Sequence, residues 1–329
     1  MTAWHRIVGL LLGALLSALF GAVLAAPAQA QTYPAKNVRV VVPFAAGGPT
    51  DVIGRLVAQK LSESWGQQFV VENLPGAGGN TGMAQTARAA ADGYTLVVVS
   101  TGFMVNPSLY ARVPYDPIKD FEPVTLVAAS PNVIFTHPSF PAKTLKDMIE
   151  AVKSNPGKYS YAQPSLGSTP HLSAELLKLT FGLDLTMVPF TSAALAVNST
   201  LGGHTPIGFT AIPPTVGNIK DGKLRGLAVM AHKRVEALPD LPTTAEAGLP
   251  DQEADTLTGI VAPAGTPKEL VARLQQEIAK IAAQPEVRDK LTAIGFRPIA
   301  NTPAEFGVMI KAEMEKWGKV VRAANLKIE

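Results

Sequence analysis

The chain has 329 residues, of which 17% are charged and 47% hydrophobic, a composition typical of a globular protein and too apolar for a disordered one. Its formal net charge is only +3 and no basic cluster stands out, which argues against nucleic acid as the main partner. The absence of cysteine excludes disulfide bonds, thiolate nucleophiles and cysteine metal sites.

The first thirty residues, 1–30, have the pattern of a cleavable signal peptide. Arg6 lies in a short positive segment, the apolar run Ile7–Leu24 follows, and Ala28-Gln29-Ala30 has the small-x-small pattern that signal peptidase reads. We expect cleavage before Gln31 and a soluble, exported mature protein. An uncleaved anchor is the alternative, because the apolar run approaches the ~20 residues that span a bilayer.

After the leader, strand and helix patterns alternate, which is typical of an α/β protein with a mainly parallel sheet. The β-branched run Val38–Val42 predicts a strand that Gly47-Gly48-Pro49 ends. Apolar residues at three-to-four spacing between Val52 and Leu61 predict the helix that follows. Two further strands and a helix of small residues are expected: Phe69–Val71, Tyr94–Val99 and Met83–Ala90.

The second block continues the alternation and predicts two lobes. Short strands Val124–Val127 and Val133–Phe135 are expected on either side of a bend at Ser130-Pro131, since proline restricts the backbone. Because the chain crosses twice between the blocks, we expect lobe 1 at 31–130 and 255–329, lobe 2 at 131–254, and a two-stranded hinge. The other expected elements are helix Leu145–Lys153, strand Tyr159–Ala162, helix His171–Leu179, strands Leu185–Val188, Leu227–Met230 and Thr256–Val261, and helices Lys268–Ala283 and Ala304–Ala323.

Four helix starts share a threonine followed three residues later by an acid, the pattern of a capping box. We interpret these acids as helix caps and not as catalysts. The four pairs are Thr144 with Asp147, Thr243 with Glu246, Thr266 with Glu269, and Thr302 with Glu305.

The segment Pro43–Asp51 is the strongest local feature for ligand binding. A strand, a glycine turn and a helix bring free N–H groups and the positive end of a helix dipole to one point, which favours an anion. Open α/β sheets bind ligands at such strand ends. A tight turn without a ligand is an equally open alternative. Asp51 competes for the same potential, so it either caps the turn locally or meets a donor on the ligand.

A similar unit recurs at Tyr161–His171. Thr169 is expected as the N-cap and Pro170 as the first helical residue, which leaves N–H and hydroxyl donors uncovered. Two such turns facing each other suit a ligand with two carboxylates. His171 either donates to a ligand carboxylate or is a surface histidine at a helix start.

Other chemistries lack their residue patterns. Gly76–Gly82 resembles a dinucleotide fingerprint but has Thr81 where a glycine is needed. A secreted serine hydrolase using Ser168 and His171 is an alternative function, but the sequence has no G-x-S-x-G elbow and no obvious orienting acid. The 5 histidines are scattered without metal-ligand spacing, so we expect no metal, no cofactor and no catalytic residue.

Eight short segments form a more specific pattern: Pro43–Asp51, Val71–Asn80, Asp92–Leu96, Asn106–Tyr110, Gly167–Leu172, Leu238–Thr243, Glu246–Pro250 and Ala262–Pro267. In this order they resemble the substrate-binding receptors of tripartite tricarboxylate transporters, the Bug-type periplasmic solute receptors. The resemblance implies a type II periplasmic-binding-protein fold and a non-enzymatic, monomeric receptor. It also implies a dicarboxylate or aromatic carboxylate held between two lobes and delivered to membrane permease subunits. Signalling to a membrane sensor kinase is an alternative output that the sequence leaves open.

In the family, loops equivalent to 44–51 and 165–171 grip the ligand carboxylates. The resemblance therefore implies ligand-binding roles for Phe44, Ala46, Gly48 and Asp51 in lobe 1, for Ser165, Ser168, Thr169 and His171 in lobe 2, and for Thr101 and Thr191 beside the crevice.

Two departures from the family pattern concern specificity. Phe103 and Met104 stand where relatives often have polar residues, and we expect them to face the cleft and favour an apolar or aromatic ligand body. Thr191 stands where a lysine is usual, which disfavours a highly charged, citrate-like ligand. Simple repacking is the alternative explanation of both.

Overall fold

The computed structural model of the chain describes residues 33–328, so the predicted signal peptide and its cleavage site lie outside the described residues. Within 33–328, no helix combines the length and the apolar character that a membrane span requires.

The described residues form ten strands, a short 3₁₀ turn at Ala77–Gly79 and ten α-helices. The strands are β1 (Val38–Val42), β2 (Phe69–Asn73), β3 (Thr95–Ser100), β4 (Phe121–Thr136), β5 (Ser160–Pro164), β6 (Thr186–Phe190), β7 (Ile207–Ala211), β8 (Arg225–Val229), β9 (Asp255–Pro263) and β10 (Arg297–Pro298). The helices are α1 (Pro49–Trp65), α2 (Asn80–Ala87), α3 (Thr101–Leu109), α4 (Leu145–Lys153), α5 (Thr169–Phe181), α6 (Ala193–Leu201), α7 (Val216–Lys220), α8 (Lys268–Ala283), α9 (Pro285–Ala293) and α10 (Pro303–Ala323).

The sheet is mixed, and the expectation of a mainly parallel sheet is corrected. Its strand order is β2-β1-β3-β9-β4-β7-β5-β6, with β8 and β10 also paired to β4. β1 runs parallel to β2 and β3, and β5 runs parallel to β6 and β7. β4 and β9 run antiparallel to each other and to their other neighbours. Two parallel βα units are thus joined through one antiparallel pair.

A single strand of 16 residues, β4, replaces the two short strands and the bend predicted around Ser130-Pro131. The strand pairs with β9 as far as Pro131, and from Asn132 to Thr136 it pairs with β7. Pro131 therefore lies where the strand changes partner, and its carbonyl accepts the N–H of Ile212 at 3.2 Å. The missing N–H of proline interrupts neither run of pairing, so the chain stays extended.

Two of the four predicted capping boxes are confirmed, at Thr144 before α4 and at Thr302 before α10. Thr243 exchanges both hydrogen bonds with its acid partner, but in a turn and not at a helix. The Thr266 box is wrong, because Pro267 is the N-cap of α8 and the Thr266 hydroxyl donates to the Pro263 carbonyl.

Phe103 and Met104 are fully buried in α3, and the expectation that they face the cleft is wrong. The Phe103 ring stacks on Tyr115 at 5.6 Å between centroids and meets Phe121 edge-on at 5.1 Å. These two side chains belong to the hydrophobic core, so they provide no reason for an aromatic ligand.

Candidate functional site

The two turns singled out in the sequence line one cleft. The loop before α1 and the first two residues of that helix contribute 44–50. The end of β5, the loop after it and the first two residues of α5 contribute Pro164, Ser165 and 168–170. The empty space of the cleft measures about 740 Å³, with the open solvent at its mouth included. The remaining lining residues are Ser100, 191–194 at the start of α6, Thr210 and Ala211 on β7, and Thr256 on β9.

The N-terminus of α1 is open toward the cleft. Its N-cap, Gly48, has no side chain to cap the helix, and Pro49 occupies the first helical position. The first-turn N–H groups, such as that of Thr50, have no intrahelical acceptor, so this end can donate to an anion.

Asp51 lies just behind this turn and is almost completely buried. Its carboxylate accepts from Gly47 N–H at 2.9 Å, from Arg55 Nε at 2.9 Å and from Asn73 Nδ2 at 2.8 Å. Burial alone raises the pKa of Asp51, but these three donors outweigh it and hold the pKa below its usual value. These bonds show Asp51 in the local role considered for it, that of shaping the turn, and a contact with the ligand stays a prediction.

The second turn, like the first, precedes a helix N-terminus without a side-chain cap, that of α5. The N-cap of α5 is Ser168 and not Thr169 as expected, and its hydroxyl donates back to the Pro164 carbonyl. Thr169 is the first helical residue, and its hydroxyl is buried without a hydrogen-bond partner in the described structure.

His171 is buried behind the second turn and is not the surface histidine considered as its alternative role. Gly167 N–H donates to His171 Nδ1 at 3.1 Å, so the neutral ring carries its proton on Nε2. Burial lowers the pKa of His171 from 6.5 to about 4, which keeps the ring neutral near pH 7. Asp51 and His171 therefore do the same job, since each accepts the N–H of a glycine four residues earlier.

Both of these glycines have a positive φ, +84° at Gly47 and +77° at Gly167. L side chains rarely adopt this conformation, which explains glycine at both turns. At Gly167 a Cβ atom would also lie 2.5 Å from the Leu109 side chain, so a larger residue would force that side chain to move.

Seven of the ten predicted ligand-binding residues line the cleft: Phe44, Ala46, Gly48, Ser165, Ser168, Thr169 and Thr191. Asp51 and His171 support the turns from behind. Thr101 is fully buried in α3, where its hydroxyl accepts from Leu257 N–H at 3.1 Å and lies 3.4 Å from the Asp255 carbonyl. These three are not among the residues that line the cleft, and the ligand roles of all ten stay predictions.

Sequence reasoning missed the lining residues that come from the strands and from α6. Thr210 and Thr256 lie on β7 and β9, and Ser192 caps α6 by accepting from Leu195 N–H at 3.3 Å. The strand β7 and the helix α6 were not predicted at all. The Ser192-to-Leu195 spacing was the available signal, since serine before a short run of small and apolar residues indicates a helix start.

The arrangement does not resemble a hydrolase. The Ser168 hydroxyl bonds to Pro164 O and lies 3.4 Å from Gln163 Oε1, while His171 Nδ1 is bonded to Gly167 N–H. The serine and the histidine are therefore engaged elsewhere and form no nucleophile–base pair.

Residues 53–326 match a family model described as "Tripartite tricarboxylate transporter family receptor". The chain belongs to this family. Protein BugT of Bordetella pertussis is 36% identical over 308 residues, which cover 93% of this chain and 94% of BugT. The predicted resemblance to Bug-type periplasmic solute receptors is thereby confirmed.

Solved structures of similar receptors support the fold. An R. palustris protein determined with adipate is 35% identical, with a TM-score of 0.86, over 90% of this chain and 100% of that protein. MatC from Rhodopseudomonas palustris with bound malate is 34% identical, with a TM-score of 0.82, over 88% of this chain and 100% of MatC. The type II periplasmic-binding-protein fold predicted for this receptor is confirmed.

Proposed function

We propose that this protein is an exported, periplasmic receptor that binds a small dicarboxylate and delivers it to the membrane permease of a tripartite tricarboxylate-type transporter. The observation that carries the proposal is the meeting of two uncapped helix N-termini, those of α1 and α5, in one cleft. Each N-terminus presents about half a positive charge together with free N–H groups. Two such ends suit a ligand with a carboxylate at either end.

The relatives agree with this chemistry. Adipate and malate, each present in the structure of a similar receptor, are both small acids with two carboxylates. The lining consists of Ala, Gly, Pro, Ser and Thr residues, with Phe44 as its one aromatic side chain. Since Phe103 and Met104 lie in the core, we favour an aliphatic dicarboxylate over an aromatic carboxylate.

We further propose that the receptor is a monomer whose lobes, 31–130 with 255–329 and 131–254, close on the ligand about β4 and β9. Closure surrounds the carboxylates with N–H and hydroxyl donors from both sides. Small-angle scattering of the purified protein with and without dicarboxylate tests this. The expected result is a smaller radius of gyration at unchanged molecular mass.

The binding proposal is tested by a thermal-shift and calorimetric screen against carboxylic acids, sugars and neutral amines. A ligand at a hundredfold excess over its Kd stabilises the folded protein by about 2.7 kcal/mol, which raises the melting temperature by several degrees. We expect dicarboxylates to produce this shift and sugars to produce none. A shift with sugars alone would overturn the proposal.

The site is tested by placing a negative charge in the cleft. Ala46 is exposed and lines the cleft, so Ala46→Glu is expected to fold normally and to bind dicarboxylate at least tenfold more weakly. Ala323→Glu makes the same change on the exposed end of α10 and should bind as the wild type does. Equal binding by both variants would place the ligand elsewhere.

Transport is distinguished from signalling in cells that lack the gene. A transport receptor is expected to be required for uptake of the radiolabelled dicarboxylate found in the screen. If uptake is unchanged while transcription induced by that acid is lost, the receptor serves a sensor kinase instead.

A further inference from the structure

The cleft contains a third helix N-terminus, that of α6. Ser192, Ala193 and Ala194 all line the cleft, and the Ser192 hydroxyl is used to cap Leu195 N–H. The first-turn N–H groups before Leu195 have no intrahelical acceptor. Together the three helix ends offer a positive potential equivalent to roughly one and a half charges. A positive potential of this size matches the charge of two carboxylates better than that of three.

Two buried hydroxyls in the same cleft have no partner among the described residues. Thr169 and Thr210 are 2% and 1% exposed, and neither hydroxyl oxygen has a hydrogen-bond partner in the described structure. Both residues line the cleft. Buried hydroxyls in proteins are normally hydrogen-bonded, so these two point to an acceptor that enters the cleft. Thr210 lies in β7 and is paired with Val133 of β4, which fixes its backbone in the sheet.

The lining has donors for anionic oxygens but no charged acceptor for a cation. Among the described residues that line the cleft, none is Asp or Glu, and none is Lys, Arg or His. The nearby carboxylate of Asp51 is already bonded to Gly47, Arg55 and Asn73. The carbonyl oxygens of Phe44 and Pro164 are bonded to Asn73 and Ser168. An ammonium group buried here would lack a counter-charge, which is strongly unfavourable.

We infer that this site selects a dianionic dicarboxylate without an ammonium group, and that the Thr210 hydroxyl donates to one of its carboxylates. The inference rests on the proposed function and narrows it, because it excludes acidic amino acids and tricarboxylates as preferred ligands. β7 packs against both α5 and α6, and Thr210 lines the cleft together with the first residues of these two helices.

The charge selectivity is tested by calorimetry on the wild-type protein with acids of matched carbon skeleton. Succinate is compared with aspartate, glutarate with glutamate, and glutarate with tricarballylate. In each pair we expect the plain dicarboxylate to bind at least tenfold more tightly. Equal or tighter binding of the amino acids or of tricarballylate overturns this inference but leaves the carboxylate receptor intact. If none of these acids binds, the proposed function itself fails.

The role of Thr210 is tested with Thr210→Val, which removes the hydroxyl and keeps the shape of the side chain. We expect the Kd for the best dicarboxylate to rise by about tenfold, the usual size of a lost hydrogen bond to a charged group. Thr210→Ser restores the hydroxyl and should recover most of the affinity. The matched control is Thr136→Val on β4, since Thr136 is also fully buried with an unpartnered hydroxyl but does not line the cleft.

A wild-type Kd in Thr210→Val, or an equal loss of affinity in Thr136→Val, refutes the role of Thr210. If Thr210→Val does not fold, Thr210→Ser and Thr210→Ala are compared by the same titration, and equal affinities of the two refute it as well.

Discussion

At the scale of single residues, the two side chains that look most reactive in the sequence support the backbone. Asp51 and His171 each follow a glycine turn by four residues, and each accepts the N–H of that glycine. The two loops that line the cleft therefore depend on one buried acceptor each, one anionic and one neutral. This difference in charge leads to different responses to pH and to substitution.

His171 is expected to make the protein less stable in acid. Its pKa is about 4 when folded and near 6.5 when unfolded, so between these values the unfolded chain binds a proton that the native chain excludes. Stability is therefore complete above about pH 6.5 and declines as the pH falls toward 4. The loss between pH 7 and pH 5 is about 2 kcal/mol. Among the charged groups near the ring, Glu175 favours protonation and Lys178 opposes it.

Urea denaturation at pH 7 and pH 5 measures this loss. His171→Gln should show a smaller difference between the two pH values than the wild type does. His204→Gln changes an exposed histidine and should keep the wild-type difference. An unchanged pH dependence in His171→Gln would contradict the assignment.

Removing the buried carboxylate of Asp51 should lower the free energy of unfolding more than removing the exposed carboxylate of Asp92. Asp51→Ala leaves the donors of Gly47, Arg55 and Asn73 without their acceptor, and we expect a loss of about 2–4 kcal/mol in the free energy of unfolding. Asp92→Ala removes one exposed bond to Tyr94 N–H, and the expected loss is under about 1 kcal/mol. Chemical denaturation of both variants gives the comparison, and similar losses would argue against a supporting role for Asp51.

At the scale of elements, the cleft results from two βα units that end at the same place. β1 leads into α1 and β5 leads into α5, and in each unit a loop with a glycine of positive φ turns the helix N-terminus toward the cleft. The antiparallel pair β4 and β9 lies between the two parallel units. α10 packs against β4, and the ring of its Phe306 reaches Gly259 of β9.

Gly259 of β9 tests that packing. A Cβ atom at this position would lie 2.3 Å from the ring of Phe306, which is fully buried in α10. We expect Gly259→Ala to lower the free energy of unfolding by about 2–3 kcal/mol, since overpacking forces the helix to shift. Gly217→Ala adds the same methyl group to α7 with no atom within 4 Å, and it should be neutral or stabilising by up to about 1 kcal/mol. Thermal unfolding of the two variants checks the contrast, and equal effects would contradict it.

At the scale of the whole molecule, Asn132 links the central strands to the cleft. This fully buried residue lies on β4 next to the change of partner at Pro131. Its side chain donates to Ser173 Oγ on α5 at 3.2 Å and accepts from Thr256 Oγ1 on β9 at 2.9 Å. Since Thr256 lines the cleft and α5 begins at it, one amide connects β4, β9 and a helix whose first residues line the cleft.

Asn132→Ala is expected to destabilise the protein by about 2–4 kcal/mol, because it leaves a buried cavity and removes two buried hydrogen bonds. Ser173→Ala removes one of these two bonds together with the bond from Ser173 to the Pro170 carbonyl, and it should cost about 1–2 kcal/mol. Equilibrium denaturation measures both variants. If Asn132→Ala loses no more stability than Ser173→Ala does, the hydrogen bonds of Asn132 contribute little to the free energy of unfolding.

Local sequence was sufficient for several features of this protein. The β1–α1 and β5–α5 turns, the boundaries of α4 and α8 and two capping boxes all depend on neighbours a few residues away, so periodicity and turn chemistry predict them. The order of eight short segments also identified the family. By contrast, Pro131 predicted a bend because the sequence does not show that the strand changes partner there.

Only the tertiary structure decided which side chains face the cleft. The pattern of apolar and polar residues predicts whether a side chain is buried, but it does not show which residues lie against that side chain. Phe103 and Met104 therefore proved to be core residues, and Thr101 proved to join α3 to β9. Thr210 and Thr256 line the cleft because β7 and β9, which are far apart in the chain, both pair with β4. An unpartnered hydroxyl such as that of Thr210 is recognisable only when all of its neighbours are known, because hydrogen-bond satisfaction is a property of the folded environment and not of the residue.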